Sequence, residues 1–202
     1  MGGLAKGGPV SSVKAVYQLR NTNPGWVNDL IAAIEMVPDS IFFDEQNRPL
    51  KREVEEFDRQ IYNELCRRFQ GLGRMERNLR LWQPEGQFEI DIVLPTSPRT
   101  LIEIEKGQLP RLELDIIKIM SAVFLRPEEY AYGCLVIPAN YIELKLARGQ
   151  TSYQYVTEHL LRLARPLFDN SNSARGYVLR EFCVVGYWDP RGGEDTRGKG
   201  LL

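Results

Sequence analysis

The chain reads as an α/β domain with a mixed β-sheet flanked by helices. Two observations predict this. Segments with apolar residues at helical spacing alternate along the chain with short segments of period two. A period-two pair split by a Pro/Ser turn is then followed by a helix and a nearly all-apolar run, as expected of a buried parallel strand.

The elements follow in order. Residues 1–24 are rich in Gly, Pro, Ser and Asn and read as a flexible lead-in. Over 26–36, Trp26, Leu30, Ile31 and Ile34 predict a short helix that ends before Pro38. Over 51–70, Val54, Phe57, Ile61, Leu65 and Phe69 share one helical face, and Gly71 and Gly73 supply the stop. Phe88, Ile90, Ile92 and Leu94 then alternate with Gln87, Glu89, Asp91 and Val93, and a second alternating run covers 101–106. The segment between them, Pro95-Thr96-Ser97-Pro98-Arg99-Thr100, is a turn, so the pair predicts a β-hairpin. Residues 111–125 predict a helix with a broad apolar face, and 132–138 (YGCLVIP) a central strand. A further amphipathic helix over 152–168 and a strand over 177–188 complete one domain, 25–188. Residues 189–202 read as a disordered tail.

Composition narrows the chemistry. The 202 residues are 43% hydrophobic and 26% charged, which suits one domain with a full core. No apolar run approaches the ~20 residues of a membrane span, and the Gly-rich start lacks the apolar stretch of a signal peptide. Three cysteines without a CxxC pair argue against a disulfide framework and a thiolate zinc site, so the expected setting is reducing and cytoplasmic. His159 is the single histidine, which excludes multi-histidine metal sites, and it falls on a helix surface. No GxxxxGK[ST] loop is present. Hydrolysis at a carboxylate-bound hard cation needs no histidine and stays open. The net charge of −1 gives no global attraction to nucleic acid, although 19 of the 26 cations are arginine. Five of them (Arg67, Arg68, Arg74, Arg77, Arg80) crowd one stretch, read equally as a solvated helix end or a phosphate-binding edge.

The hairpin carries the chemical signal. Matching Ile92 with Ile102 and Ile90 with Ile104 buries one apolar side. The same register sets Asp91 opposite Glu103 and Glu89 opposite Glu105, with opposite Cβ atoms about 5 Å apart. Four like charges on one face need compensation by a bound cation, by nearby Lys or Arg, or by raised pKa values. Carboxylates and water suit Mg²⁺. The plainer alternative is an acidic outer face that is simply solvated.

Ile90-Asp91, eleven intervening residues, and then Glu103-Ile104-Glu105 on the next strand resemble the PD-(D/E)xK nuclease superfamily. More closely, they resemble the ExE variant of BamHI- and BglII-like restriction endonucleases. The resemblance covers about residues 50–138, in the order helix, hairpin, helix, buried strand. It implies a restriction-endonuclease-like fold and a Mg²⁺-dependent endonuclease, with Mn²⁺ able to substitute, that hydrolyses DNA to leave a 5′-phosphate. Asp91, Glu103 and the Ile104 carbonyl would hold the metal. Glu105 would stand where the superfamily has its lysine, and a first-helix glutamate would be Glu64, with Glu76 as its rival.

Two departures accompany the resemblance. Ile90 stands in the proline position, and no lysine stands two residues after Glu103. Lys106 lies one place later, and Lys118 on the next helix is the other source, with Asp115 placed to orient it. An exposed salt-bridged stripe (Arg111, Asp115, Lys118) explains the same residues without catalysis.

A type II restriction enzyme cutting both strands would favour a homodimer. Tyr153, Tyr155, Arg191 and Arg197 are candidate DNA contacts. The competing expectation is a non-catalytic nucleic-acid-binding or assembly protein that keeps the nuclease-like fold.

Overall fold

A computed structural model describes residues 12–50, 55–81, 89–105, 109–140, 151–162 and 179–191. Their strands are β1 (Val13–Gln18), β2 (Glu76–Arg80), β3 (Glu89–Leu94), β4 (Arg99–Ile104), β5 (Tyr130–Pro138) and β6 (Glu181–Tyr187). The helices are α1 (Trp26–Glu35), α2 (Glu55–Arg68), α3 (Leu109–Leu125) and the short α4 (Ser152–Tyr155). A 3₁₀ turn, Asp39–Phe42, follows α1, and a π-helical stretch, Val156–Leu160, continues α4.

The six strands form one mixed sheet in the order β1-β6-β5-β4-β3-β2. Strands β4, β5 and β6 run parallel, while β2, β3 and β4 form an antiparallel meander and β1 closes the far edge antiparallel to β6. The sheet is covered on both faces, which is why its centre reads as continuous apolar sequence. On one face Ile92, Leu94, Ile102, Val136 and Val185 pack with Phe57, Ile61 and Leu65 of α2 and with α1. On the other, Val93, Leu101, Leu135 and Val184 pack with Leu112, Ile116 and Ile119 of α3. The α/β class and the mixed, helix-flanked sheet are therefore as expected.

Local rules account for the elements. Helix α2 opens with Glu55, Glu56 and Asp58 and closes with Arg67 and Arg68, charges that complement its dipole. Gly71 (φ 86°) and Gly73 (φ 141°) then turn the chain through conformations that side chains resist. Thr151 caps α4 in a reciprocal capping box with Gln154.

Three expectations about organisation need correction. The lead-in contains strand β1, whose pairing to β6 half-buries Val13, Ala15 and Tyr17, so order begins before residue 25. The start of the tail is also tied down. Trp188 N–H donates to the Ser12 carbonyl, Asp189 is fully buried, and Arg191 bonds both Asp189 and the Leu50 carbonyl. Strand β2 was not expected at all. Residues 1–11, 51–54, 163–178 and 192–202 lie outside the described residues, as does Arg197.

Candidate active site

The expected hairpin register is present: Ile92 pairs with Ile102, Val93 with Leu101 and Leu94 with Thr100. At Asp91 the ladder changes character. The Ile104 N–H donates at 2.7 Å to Oδ2 of the Asp91 side chain rather than to a backbone carbonyl of β3. Across β3, β2 pairs regularly on either side, Arg77 with Ile92 and Leu79 with Ile90, while the intervening Asn78 sits at φ 52°. That left-handed residue kinks the meander where a carboxylate has replaced a ladder acceptor.

One consequence corrects the expected facing of the strands. Ile90 does not share a face with Ile92 and Ile104; it packs with Val93 and Leu101 on the α3 side. A strand of strict alternation would have kept them together, and the kink at Asp91 separates them.

The α3 face then gathers Asp91, Glu103, Asp115 and Lys118. Glu103 projects from β4 and is 2% exposed. Lys118 Nζ lies 2.7 Å from Glu103 Oε1, 2.8 Å from Asp115 Oδ1 and 3.1 Å from the Glu89 carbonyl, to which it donates. The contact with Glu103 is a close ion pair between two largely buried groups. Asp115 and Lys118 sit three residues apart on α3 and therefore reach the same spot. The Lys118 side chain is only 12% exposed. It is part of a buried cluster, not of an exposed stripe.

Electrostatics follow from this burial. Removal from water is the largest influence on Glu103 and, with the charges of Asp91 and Asp115, holds its carboxyl well above the ordinary range against the pull of Lys118. Asp115 is raised for the same first reason, with Lys118 opposing and Asp91 adding. Burial pulls Lys118 downward, but Glu103 and Asp115 together outweigh it and raise the ammonium, so it stays charged. Three carboxylates thus share Lys118, with Arg111 also acting on Asp115, and a hard divalent ion would relieve the crowding of negative charge.

The donor set fits such an ion. Glu103 offers a buried carboxylate, Asp91 lends its charge to the same spot, and the Ile104 carbonyl is next in the chain. Among the described residues no three or more His, Cys, Asp or Glu side chains are grouped to hold a metal. A cation here would rest on two carboxylates, a carbonyl and water, a set that suits Mg²⁺, which keeps several waters.

Glu105, which follows β4, is 4% exposed. Other expected residues go elsewhere. Glu89 pairs with Arg80 at 2.7 Å. Glu64 lies on α2, across the sheet from α3, and is engaged by Arg67 and Arg68. It is not brought to Asp91, because α2 and α3 cover opposite faces. Its rival Glu76 is in strand β2, paired with Arg99 at 2.7 Å. Lys106 lies outside the described residues.

The proposed contact residues are also structural. Tyr153 packs on the second core layer, Tyr155 donates to Glu113 at 3.0 Å, and Arg191 stacks over Phe42. Arg67, Arg68 and Arg80 of the arginine stretch are spent in ion pairs. His159 is exposed beside Tyr155, as expected, and the three cysteines are free thiols.

No protein-family model matches the chain, and no curated protein is similar to it. No helix among the described residues is long and apolar enough to cross a membrane.

Proposed function

We propose that this chain is a Mg²⁺-dependent endonuclease that hydrolyses DNA phosphodiester bonds, with Asp91, Glu103 and the Ile104 carbonyl as metal ligands and Lys118 as the catalytic cation. One observation carries the reading: the Lys118 ammonium from α3 is set 2.7 Å from Glu103, the central acid of the hairpin motif. Of the groups among the described residues that could replace the missing strand lysine, Lys118 is the cation set against Glu103. The element order from α2 through β5 also agrees with the resemblance to PD-(D/E)xK nucleases.

The chain's own groups divide the work. Asp91 and Glu103 fix the position of a hard cation, and the Ile104 N–H locks Asp91 by occupying Oδ2. When bound, Mg²⁺ lowers the pKa of a water and neutralises charge that builds on the phosphate. Lys118, held charged by its carboxylate neighbours, donates to a phosphoryl oxygen and stabilises the same charge. Its raised pKa makes it an electrostatic group and not the base. Asp115 is a positioning residue that fixes the Lys118 amine.

A second reading rests on the same contact. Lys118 already offsets Glu103 and Asp115, so the cluster could serve a non-catalytic nucleic-acid-binding or assembly protein as an internal ion network. Cleavage of supercoiled plasmid DNA in Mg²⁺ or Mn²⁺ separates the two. The enzyme reading expects metal-dependent nicking or linearisation, reduced about 100-fold or more in Asp91→Ala, Glu103→Gln and Lys118→Met. Folded wild-type protein without cleavage in either metal would leave the second reading standing. Cleavage that survives all three substitutions would put the chemistry elsewhere.

A further inference from the structure

We propose that Cys134 and Cys183 form a two-thiolate site for a soft, linearly coordinated divalent ion of the mercury(II) class. The two residues are direct partners in the parallel ladder between β5 and β6. Both side chains enter the core layer beneath α1 and α2, both are 0% exposed, and both are free thiols. The same row continues to Ile102 on β4 and Gln18 on β1, so the two sulfurs are the soft donors brought side by side.

Spacing argues for a bridging ion and against a bond between the sulfurs. In-register neighbours on adjacent strands stand about 4.8 Å apart. A disulfide needs Cβ atoms about 3.8 Å apart, so closing one would pull two central strands together. A linear sulfur–metal–sulfur unit with bonds of about 2.3 Å spans about 4.6 Å, which fits the ladder as it stands. Neither thiol is committed to a strong partner. Cys134 Sγ donates to the Leu135 carbonyl at 3.7 Å, and the Cys183 thiol has no acceptor among the described residues.

Donor type and charge select the ion. Thiolate sulfur prefers soft metals, and Zn²⁺ asks for four ligands where two are present. Burial raises both thiols above their ordinary range, with Cys183 adding to the effect on Cys134, so the metal must drive deprotonation. Binding releases both thiol protons to solvent. Two thiolates and a divalent ion then make a neutral unit, which a dry layer of Ile102, Val136 and Val185 tolerates. A monovalent ion would leave a net charge buried there. The pair lies on the face of the sheet opposite Glu103 and Lys118, and the inference does not depend on nuclease chemistry.

Equilibrium dialysis of the full chain against Hg²⁺, with an excess of a competing monothiol, tests the proposal. The wild type and Cys66→Ser should each retain one ion per chain, and neither should retain Zn²⁺. Cys134→Ala and Cys183→Ala should each weaken retention at least about 100-fold, because a single thiol forfeits the chelate. Circular dichroism checks that each variant keeps the fold, and Cys183→Val, which fills the space, serves where Ala does not. The loaded wild type should show the ultraviolet charge-transfer band of a two-thiolate mercury unit with its fold unchanged. A folded wild type that retains no Hg²⁺ overturns the proposal. So does retention that needs Cys66 or survives the loss of either core thiol, or a chain that unfolds on loading. Equal retention of Zn²⁺ overturns the choice of ion.

Discussion

Replacing Glu103 by Gln keeps the shape of a buried side chain while removing one charge from a cluster with three carboxylates and one ammonium. In the metal-free protein that charge is a burden. Its neighbours Asp91 and Asp115 repel it, Lys118 attracts it, and burial penalises it most of all. Substitution leaves Lys118 paired with Asp115, so no cation is stranded. A gain of about 1–2 kcal/mol is expected. For a chain of this size that raises Tm by about 2–8 °C.

The pH dependence has a definite sign. The Glu103 carboxyl is raised in the folded state above its ordinary 4.5. The stability it contributes is therefore present in full below about pH 4.5 and is lost as pH rises through the higher folded value. In EDTA the two melting curves should converge in acid and separate toward neutral pH, with Gln above Glu. Mg²⁺ should narrow the gap by stabilising the wild type alone. At ten times its dissociation constant the ion adds about 1.4 kcal/mol. The assay is thermal denaturation in EDTA and in Mg²⁺ across that pH range. A Gln variant less stable than wild type at neutral pH in EDTA, with an unchanged response to Mg²⁺, would refute the reasoning. Glu103 and Lys118 would then be a structural pair and not a strained ligand set.

Lys118→Met should cost about 3–5 kcal/mol in urea denaturation without metal, because it leaves Glu103 and Asp115 buried without their counter-charge. Combining it with Glu103→Gln should recover part of that loss, which a double-mutant cycle would measure. Gly133→Ala should cost about 1–3 kcal/mol, since a Cβ there would meet Ile119 Cγ2 at 2.6 Å and Phe182 Cδ2 at 2.9 Å. Cleavage should fall with it, because that contact sets the distance between α3 and the sheet. Glu181→Ala should cost about 2–4 kcal/mol by orphaning the Arg20, Thr22 and Phe182 N–H groups and the Thr22 hydroxyl. Faster hydrogen exchange at Arg20 and Thr22 would report it.

How much of this could be read in the sequence depends on which residues carry the signal. The hairpin was legible because Ile90, Ile92, Ile102 and Ile104 alternate with Asp91, Glu103 and Glu105, and a slip by one residue would turn the acids into the α2 core layer. Helix α2 was legible because Phe57, Ile61 and Leu65 face one core and Gly71 and Gly73 stop it. Strand β2 was not, because an edge strand with the sequence ERNLR buries little and shows one apolar residue in five. Strand β1 alternates only in part, because the exposed Val16 stands on the outward side with Lys14, and it sits at the end of a Gly-rich lead-in that masks it.

The site divides along the same line. Asp91 and Glu103 belong to one hairpin, so their proximity follows from local register, which sequence encodes densely. The identity of the cation beside them is a tertiary fact, because it depends on how far α3 stands from the sheet. Lys118 and Asp115, which come from α3, meet Glu103 only because the helix lies over β4. The left-handed Asn78 supplies the missing piece. It lies in the ladder between Arg77, which pairs with Ile92, and Leu79, which pairs with Ile90, beside the strand position of Asp91. Asn tolerates that conformation far better than a β-branched residue would. A substitution such as Asn78→Val, beside Asp91 in the ladder, should therefore disturb the Asp91–Ile104 bond before it disturbs the core.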